Sequence, residues 1–208
     1  LVQKNDLMRS GGWDRSAHLG TGLTDRTLGL VGLGNIGREL IRLVEPLGMR
    51  YLVSDPHIRE APANVELVDL PELMGSSDFI CICCPYNTST HHLIDATMLH
   101  QVKPSAKLIN ASRGPIVDEA ALVDALRAGR LAAAALDVFE REPLPEDAQV
   151  RTLDNVVLAP HSIGWTDELV RGNGRTAATA LLDWFEGRRP THILNPEALD
   201  IADATRKG

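Results

Sequence analysis

The stretch Thr-Leu-Gly-Leu-Val-Gly-Leu-Gly-Asn-Ile-Gly at positions 27–37 decides the fold of this chain. Residues 27–34 are an apolar run that predicts a short buried strand ending in glycines. The pattern then changes to the spacing of an amphipathic helix over about residues 36–47. A strand, a glycine-rich turn and a helix in direct succession predict the first βα unit of a parallel sheet.

Three glycines of this turn, Gly32, Gly34 and Gly37, form the pattern G-x-G-x-x-G. Between a strand and a helix, this pattern is typical of a dinucleotide-binding loop. Gly32 allows the tight turn, Gly34 lets the backbone approach a pyrophosphate, and Gly37 lets the helix pack closely on the strand. Free amides in the first helical turn, which includes Asn35 and Ile36, favour an anion. We therefore predict that these five residues bind a dinucleotide.

An acidic residue at the expected distance supports this prediction. The next predicted strand, residues 50–55, ends in Asp55, 18 residues beyond Gly37. A carboxylate at this place accepts hydrogen bonds from the adenosine ribose hydroxyls. Its charge would repel a 2′-phosphate, so NAD is favoured over NADP, although the nearby Arg59 weakens that preference slightly.

The remainder of the chain alternates between apolar runs of strand length and helical patterns. Further strands are predicted at residues 78–84, 106–110, 131–138 and 156–159, and helices from Asp69 and over 118–127 and 166–187. Residues 132–135 are all alanine, so that run also suits a helix. Apolar strands between helices predict an α/β fold, a doubly wound, Rossmann-type parallel sheet with helices on both faces.

Composition and charge exclude several classes of protein. With 28 acidic against 21 basic residues and a net charge of -7, the chain lacks the basic character of a nucleic-acid-binding protein. No apolar run reaches the roughly 18 residues of a membrane span, and the first residues lack the apolar segment of a signal peptide. We expect a soluble, cytoplasmic protein that binds neither nucleic acid nor membrane.

The three cysteines, Cys81, Cys83 and Cys84, lie within four positions. They have no spaced partners for a disulfide framework, which fits a reducing compartment. A strand here would direct Cys81 and Cys83 to one face and Cys84 to the other, and no second group of ligands has zinc spacing. We expect small core side chains and predict no metal site.

Three further stretches have the type, order and spacing of a known family. They are Ile-Asn-Ala-Ser-Arg-Gly at 109–114, Leu-Asp-Val-Phe-Glu-Arg-Glu-Pro-Leu at 136–144, and Ala-Pro-His at 159–161. Together with the glycine loop, they resemble the NAD-binding domain of D-isomer-specific 2-hydroxyacid dehydrogenases, over a region from about Trp13 to Pro196. The resemblance implies a hydride transfer between NAD(H) and a small 2-hydroxy or 2-keto acid.

The resemblance also implies the catalytic residues. The arginine that binds the substrate carboxylate and polarises its carbonyl corresponds to Arg113, whose planar fork suits that task. The histidine that donates and reclaims the proton corresponds to His161. Its carboxylate partner corresponds to Glu142, which favours the protonated ring and orients it.

Further contacts with the cofactor follow from the same resemblance. Asp137 corresponds to an aspartate that contacts the nicotinamide carboxamide. Pro85 and Thr90 match a Pro-x-x-x-x-Thr loop beside the cofactor, and Ser112 lies in the turn that presents the arginine. The family usually has an apolar residue directly after the loop proline, and this chain departs from the pattern with Tyr86.

The resemblance implies three parts of the chain. Residues 1–20 would be a linker and helix from a substrate domain, 21–187 the dinucleotide-binding domain, and 188–208 a segment that returns to the substrate domain. That domain, of about 100 residues in a typical case, has no room before the glycine loop. We expect it to be missing and the chain alone to turn over poorly. The family also implies a homodimer formed through the cofactor domain.

Two alternatives stay open at this point. Corepressors related to this family use the same fold as non-catalytic NAD sensors, and they can keep Arg113, Glu142 and His161. The acidic composition favours the enzyme only slightly. Formate dehydrogenases are also related, but they carry glutamine at the position of Glu142, so the glutamate counts against them.

Overall fold

A computed structural model describes residues 2–16 and 19–199 of the chain. The chain forms two compact units, Leu1–Pro160 and His161–Gly208. The first unit contains the sheet, and the second contains a long helix. The three-part division at residues 20 and 187 stays a prediction.

Seven strands within the described residues form one sheet, in the order β3-β2-β1-β4-β5-β6-β7, and all neighbouring pairs are parallel. The strands are Thr27–Val31 (β1), Arg50–Ser54 (β2), Val65–Leu67 (β3), Phe79–Ile82 (β4), Lys107–Asn110 (β5), Ala133–Leu136 (β6) and Val156–Leu158 (β7). The strand order reverses between β1 and β4, and ligands of such sheets bind at the carboxyl ends of the strands at this switch point. The predicted doubly wound α/β fold is confirmed.

The described residues form six α-helices. They are Val2–Arg9 (α1), Asn35–Val44 (α2), Leu70–Ser76 (α3), Ala96–Leu99 (α4), Glu119–Arg127 (α5) and Asp167–Phe185 (α6). Side chains cap the N-termini of four of them, α3 to α6. Asp69 caps α3 by accepting a hydrogen bond from the Glu72 amide at 2.8 Å. The α5 helix ends before Gly129, which has a φ of 67° and so takes the left-handed conformation that closes many helices.

Two apolar cores lie on the two faces of the sheet, and β4 shows how one strand serves both. Ile80 and Ile82 belong to the larger core, with Leu108 of β5 and Leu122 of α5. The alternate residues, including Cys81, pack with the smaller core around β1, β2 and α2. This alternation follows from the period of two of a strand, and it covers both faces of the central strands.

The structure differs from the sequence-based elements mainly at short segments. The alanine-rich run, which also suited a helix, forms most of strand β6, because Ala133–Leu136 pairs with β5 on one side and β7 on the other. The β3 strand and the α4 helix were not predicted, since three and four residues are too short to show a period. The first strand ends at Val31 because Gly32 turns the chain with a φ of 98°.

The second unit begins at His161, and its main element is α6. Thr166 caps this helix through a hydrogen bond from the Leu169 amide to its hydroxyl at 3.1 Å. Gly172 and Gly174 do not interrupt it. No helix among the described residues is both long and apolar enough to cross a membrane.

Candidate functional site

A cavity of about 520 Å³ opens at the carboxyl edge of the sheet, at the switch point between β1 and β4. It is formed by the loops that follow β1, β4 and β5. The residues that line it are Gly34, Asn35, Ile36, Cys83, Cys84, Pro85, Tyr86, Ser112 and Arg113. The cavity therefore brings together six of the predicted site residues and three residues that were not predicted.

The glycine loop has the geometry that its spacing predicts. A Cβ on Gly32 would lie 2.8 Å from the Cys84 amide nitrogen, and one on Gly37 would lie 2.8 Å from the Gly32 carbonyl oxygen. Both positions therefore exclude a side chain. A Cβ on Gly34 would meet no atom within 4 Å, so this position borders open space.

The N-terminus of α2 lacks a side-chain cap. Gly34 occupies the N-cap position and has no side chain to accept hydrogen bonds from the first turn, whereas Asp95 and Asp118 cap α4 and α5 with their carboxylates. The first amides of α2 therefore face the cavity region without an acidic cap. This end of the helix can receive an anion through its amides and its dipole.

Asp55 lies directly after β2 and is bound to the glycine loop. One carboxylate oxygen, Oδ2, accepts a hydrogen bond from the Leu33 amide at 2.9 Å, and Oδ1 accepts one from the His57 amide at 2.9 Å. Each carboxylate oxygen keeps a further acceptor site. The carboxylate is thus held at the end of β2, with acceptor capacity left for a hydroxyl.

The loop after β4 is held by the hydroxyl of Thr90. This hydroxyl donates to the Pro85 carbonyl at 2.9 Å and accepts from the Asn87 amide at 2.8 Å. Thr90 itself does not line the cavity, and its contacts stabilise the turn that presents Pro85 and Tyr86. The Tyr86 hydroxyl shares a hydrogen bond with Nδ1 of His91 at 3.4 Å.

The turn after β5 presents Arg113 to the cavity. Asn110 is buried at the end of the strand, and its side chain accepts from the Ser112 amide at 3.1 Å and donates to the Arg113 carbonyl at 3.0 Å. The Ser112 hydroxyl donates to the Cys84 carbonyl at 2.6 Å, which joins this turn to the loop after β4. The Arg113 side chain is exposed and lines the cavity.

A close backbone contact joins the turn of Arg113 to the loop after β6. A Cβ on Gly114 would lie 1.9 Å from the backbone carbon and oxygen of Phe139. The Phe139 amide in turn donates to Oε1 of Glu142 at 3.0 Å. The glycine after Arg113 is thus required for the two loops to meet, and the loop that it contacts carries Glu142.

Glu140, which was not predicted, anchors the same loop. Its Oε1 accepts from the Glu119 amide at 3.0 Å and pairs with Nε2 of His92 at 2.8 Å. The Glu119 carboxylate accepts from the Glu140 amide at 3.3 Å, and partial burial raises the pKa of Glu119. These contacts tie the loop after β6 to the start of α5 and to the turn at His92.

The cysteines are partly buried and free. Cys81 and Cys83 pack against the smaller core and Cys84 against the larger one, so the predicted division between two faces is confirmed. Cys83 and Cys84 also line the cavity, which the expectation of small core side chains did not include. Within the described residues, no group of three or more histidine, cysteine, aspartate or glutamate side chains could hold a metal ion.

Two further predicted residues, Asp137 and His161, follow β6 and β7 along the chain. Asp137 follows β6, is buried, and its amide donates to the Asn110 carbonyl at 3.0 Å. His161 is the first residue of the second unit and has a positive φ of 54°. Their predicted roles, like those of the other site residues, stay predictions.

Comparison with known proteins identifies the family. The sequence model of the D-isomer specific 2-hydroxyacid dehydrogenase NAD binding domain matches residues 1–162. The chain belongs to this family. The predicted family is therefore confirmed, and the cofactor class of this dehydrogenase domain is NAD.

Proteins similar to this chain include two reductases and a D-lactate dehydrogenase. The glyoxylate reductase of Thermofilum pendens is 37% identical, over 97% of this chain and 62% of that protein. The glyoxylate/hydroxypyruvate reductase B of Enterobacter agglomerans is 39% identical, over 96% and 64%. A solved D-lactate dehydrogenase with NAD+ from Lactobacillus jensenii has a TM-score of 0.81 and 26% identity, over 92% and 62%. The chain thus spans about three fifths of the length of these relatives.

The residues of this dehydrogenase domain fit the cofactor of its family. Open space at Gly34 allows a pyrophosphate to approach the backbone. The uncapped first turn of α2 offers amides to it, and Asp55 offers a carboxylate to a ribose at the end of the neighbouring strand. The residues present are therefore compatible with the pyrophosphate and the ribose of the cofactor that the family implies.

Proposed function

We propose that this chain supplies the cofactor site and the catalytic side chains of an NAD-dependent oxidoreductase that interconverts small D-2-hydroxy acids and 2-keto acids. The observation that carries the proposal is that the glycine loop and Arg113 line the same cavity. A dinucleotide bound at the loop and a carboxylate bound by the guanidinium would therefore be neighbours. When bound, NAD(H) supplies or accepts the hydride.

The side chains of this chain would provide binding and proton transfer. Arg113 binds the substrate carboxylate through two parallel hydrogen bonds and draws electron density from the carbonyl oxygen. His161 donates a proton to that oxygen during reduction and takes it back during oxidation. Glu142 favours the protonated imidazole and orients the ring. The pattern of the family supports these roles.

The cofactor would be held by both sides of the crevice. The amides of Asn35 and Ile36 bind the pyrophosphate, and Asp55 binds the adenosine ribose and disfavours a 2′-phosphate. Pro85, Ser112 and Asp137 contact the nicotinamide half, and Thr90 holds the turn that carries Pro85. We also propose the homodimer that the family implies. The hydrogen bonds of Asp55 and Thr90 described above support the proposed cofactor contacts.

A panel of keto acids tests the proposal. The chain, and any longer natural form of it, is assayed with glyoxylate, hydroxypyruvate, pyruvate and a phosphorylated keto acid, each with NADH and NADPH, by the loss of NADH absorbance. We expect a longer natural form to turn over at least one short keto acid with a preference for NADH, and the 208-residue chain alone to turn over poorly. If the longer form binds NADH but turns over none of these keto acids, the result would favour a non-catalytic NAD sensor instead.

Two variants separate chemistry from binding in this assay. His161→Asn should lower kcat by about 10² to 10⁴-fold, as expected for a missing general acid, while NADH affinity is kept. Arg113→Lys keeps the charge but loses the planar fork, so its main effect should be a higher KM for the keto acid. Retained activity in His161→Asn would show that the proton comes from another group.

A further inference from the structure

Two thiols, those of Cys81 and Cys83, lie next to each other, and Cys83 lines the cavity described above. Cys83 Sγ donates a hydrogen bond to Cys81 Sγ across 3.8 Å. Both residues are free and partly exposed, and both project from the same face of the sheet. One atom can therefore bridge the two sulfurs after a small rotation of either side chain.

The third thiol of the chain is set apart from this pair. Cys84 packs against the opposite core, and burial raises the pKa of Cys84 to about 11. The hydrogen bond from the Cys83 thiol favours the thiolate of Cys81 and lowers the pKa of Cys81. Since the thiolate is the nucleophile, Cys81 is the thiol that reacts first. The pKa of Cys83 is raised because its thiol donates to Cys81, and Cys83 is the second ligand because its sulfur lies 3.8 Å from that of Cys81.

The number of side chains available at the pair of thiols decides which kind of ligand it can bind. Within residues 2–16 and 19–199, no third side chain completes a metal-binding group with these thiols, and a structural zinc site needs four ligands. A trivalent arsenical with one organic substituent has two exchangeable positions and needs only two thiols. Cys81 and Cys83 supply these two thiols, and no further protein ligand is needed.

We propose that Cys81 and Cys83 form a dithiol site for monosubstituted trivalent arsenicals, and that its occupation blocks the dinucleotide crevice. Two arsenic–sulfur bonds form and two S–H bonds break. The arsenic-bound oxygen leaves as water with both thiol protons, and no atom is oxidised or reduced. The second part of the proposal rests on the cofactor site proposed above.

The position of Cys83 explains the effect on the cofactor. Its side chain lines the cavity together with Gly34, Asn35 and Ile36. Its Cβ would lie 3.7 Å from a Cβ on Gly37, at the first turn of α2. A substituent on arsenic at this place therefore occupies the space beside the amides that would bind the pyrophosphate.

Phenylarsine oxide is the probe for the test. One equivalent is added to the 208-residue chain, and free thiols are counted while intact mass reports the adduct. We expect one phenylarsenic group per chain and the loss of two of the three thiols. The adduct should survive a monothiol such as glutathione and be reversed by 2,3-dimercaptopropanol.

Matched serine variants locate the site. Cys84→Ser should capture the probe as the unaltered chain does, whereas Cys81→Ser and Cys83→Ser should each lose about a hundredfold or more in apparent affinity, because the second bond is intramolecular. Alanine variants at the same positions serve where a serine lowers the yield of folded protein. Capture that depends on Cys84, or that survives the loss of Cys81, would overturn the proposal.

Titration with NADH before and after treatment tests the second part. The treated chain should bind NADH about tenfold more weakly or worse, and the treated Cys83→Ser variant should bind it as before treatment. Unchanged NADH affinity in a fully labelled chain would refute the proposal that the bound arsenical blocks NADH binding. If the untreated protein fails to bind NADH, both the proposed function and the proposed block of NADH binding fail. The count of free thiols still tests the dithiol site independently.

Discussion

Two close backbone contacts shape the crevice, and they differ in the distance between their partners along the chain. In the glycine loop, Gly37 lies against the carbonyl of Gly32, five residues earlier. In the second contact, Gly114 lies against Phe139, 25 residues later. Both contacts depend on a missing side chain. The comparison shows that the same steric requirement is visible in a sequence pattern only when both partners are local.

The largest effect is expected for Gly114→Ala. A Cβ at 1.9 Å from the Phe139 backbone cannot be accommodated by a side-chain rotation, so one of the two loops must move. We expect the free energy of unfolding, measured with urea, to fall by about 3 kcal/mol or more. Gly75→Ala in α3 is the control.

At Gly75 the nearest atom to a new Cβ is the Gln101 carbonyl oxygen at an ordinary 3.5 Å. Alanine favours a helix over glycine by about 1 kcal/mol, so the control should be neutral or stabilising. Equal losses in the two variants would mean that Gly114 is not a close contact, and the comparison between the two loops would break down.

A smaller loss of stability is expected for Gly32→Ala. This residue combines a φ of 98° with a prospective Cβ at 2.8 Å from the Cys84 amide nitrogen. We expect a loss of about 2 kcal/mol, from backbone strain and from the shift of the β4 loop. Thermal unfolding followed by circular dichroism measures it. A Tm equal to that of the unaltered chain would contradict the geometry of the turn.

Gly34→Ala should separate binding from stability. This position has a φ of −75° and no atom within 4 Å of a new Cβ, so the free energy of unfolding should change by less than about 0.5 kcal/mol. The methyl group would stand in the space left for the pyrophosphate. NADH affinity, measured by fluorescence titration, should fall about tenfold. A stable variant with unchanged NADH affinity would place the pyrophosphate elsewhere.

The smallest effect is expected at Asp78, which lies at the opposite end of β4 from the crevice. Burial acts to raise its pKa, but the Thr27 amide hydrogen bond and the charges of Lys103 and Arg26 outweigh it and lower the pKa. Because the folded pKa is below the unfolded value of about 3.9, the carboxylate stabilises the fold above that pH. The contribution is lost as pH falls through the lower folded pKa.

Asp78→Asn should therefore lower stability at neutral pH by on the order of 1 kcal/mol and flatten its decline below about pH 4. Urea unfolding at a series of pH values gives both quantities. NADH affinity should be unchanged, since Asp78 precedes β4 and lies at the end of this strand opposite to the cavity. An Asp78→Asn variant that is destabilised equally at all pH values would point to a packing effect instead.

The sequence determined the α/β class, the glycine loop and the family. Gly32, Gly34, Gly37 and Asp55 were predictable because their requirements arise within one βαβ unit, where spacing along the chain reflects distance in space. The same holds for the cap at Asp69, whose partner amide is three residues away. Local steric and hydrogen-bonding rules are sufficient for such features.

The tertiary structure alone decided the surroundings of the crevice. Pairing with β5 on one side and β7 on the other made the alanine run a strand. The adjacency of β1 and β4 brought Cys83 and Cys84 to the glycine loop. The contact of Gly114 with Phe139 and the role of Glu140 likewise depend on neighbouring strands that are far apart in sequence. Contacts of this kind arise from strand order and register, and no periodic pattern in the sequence records which strands become neighbours.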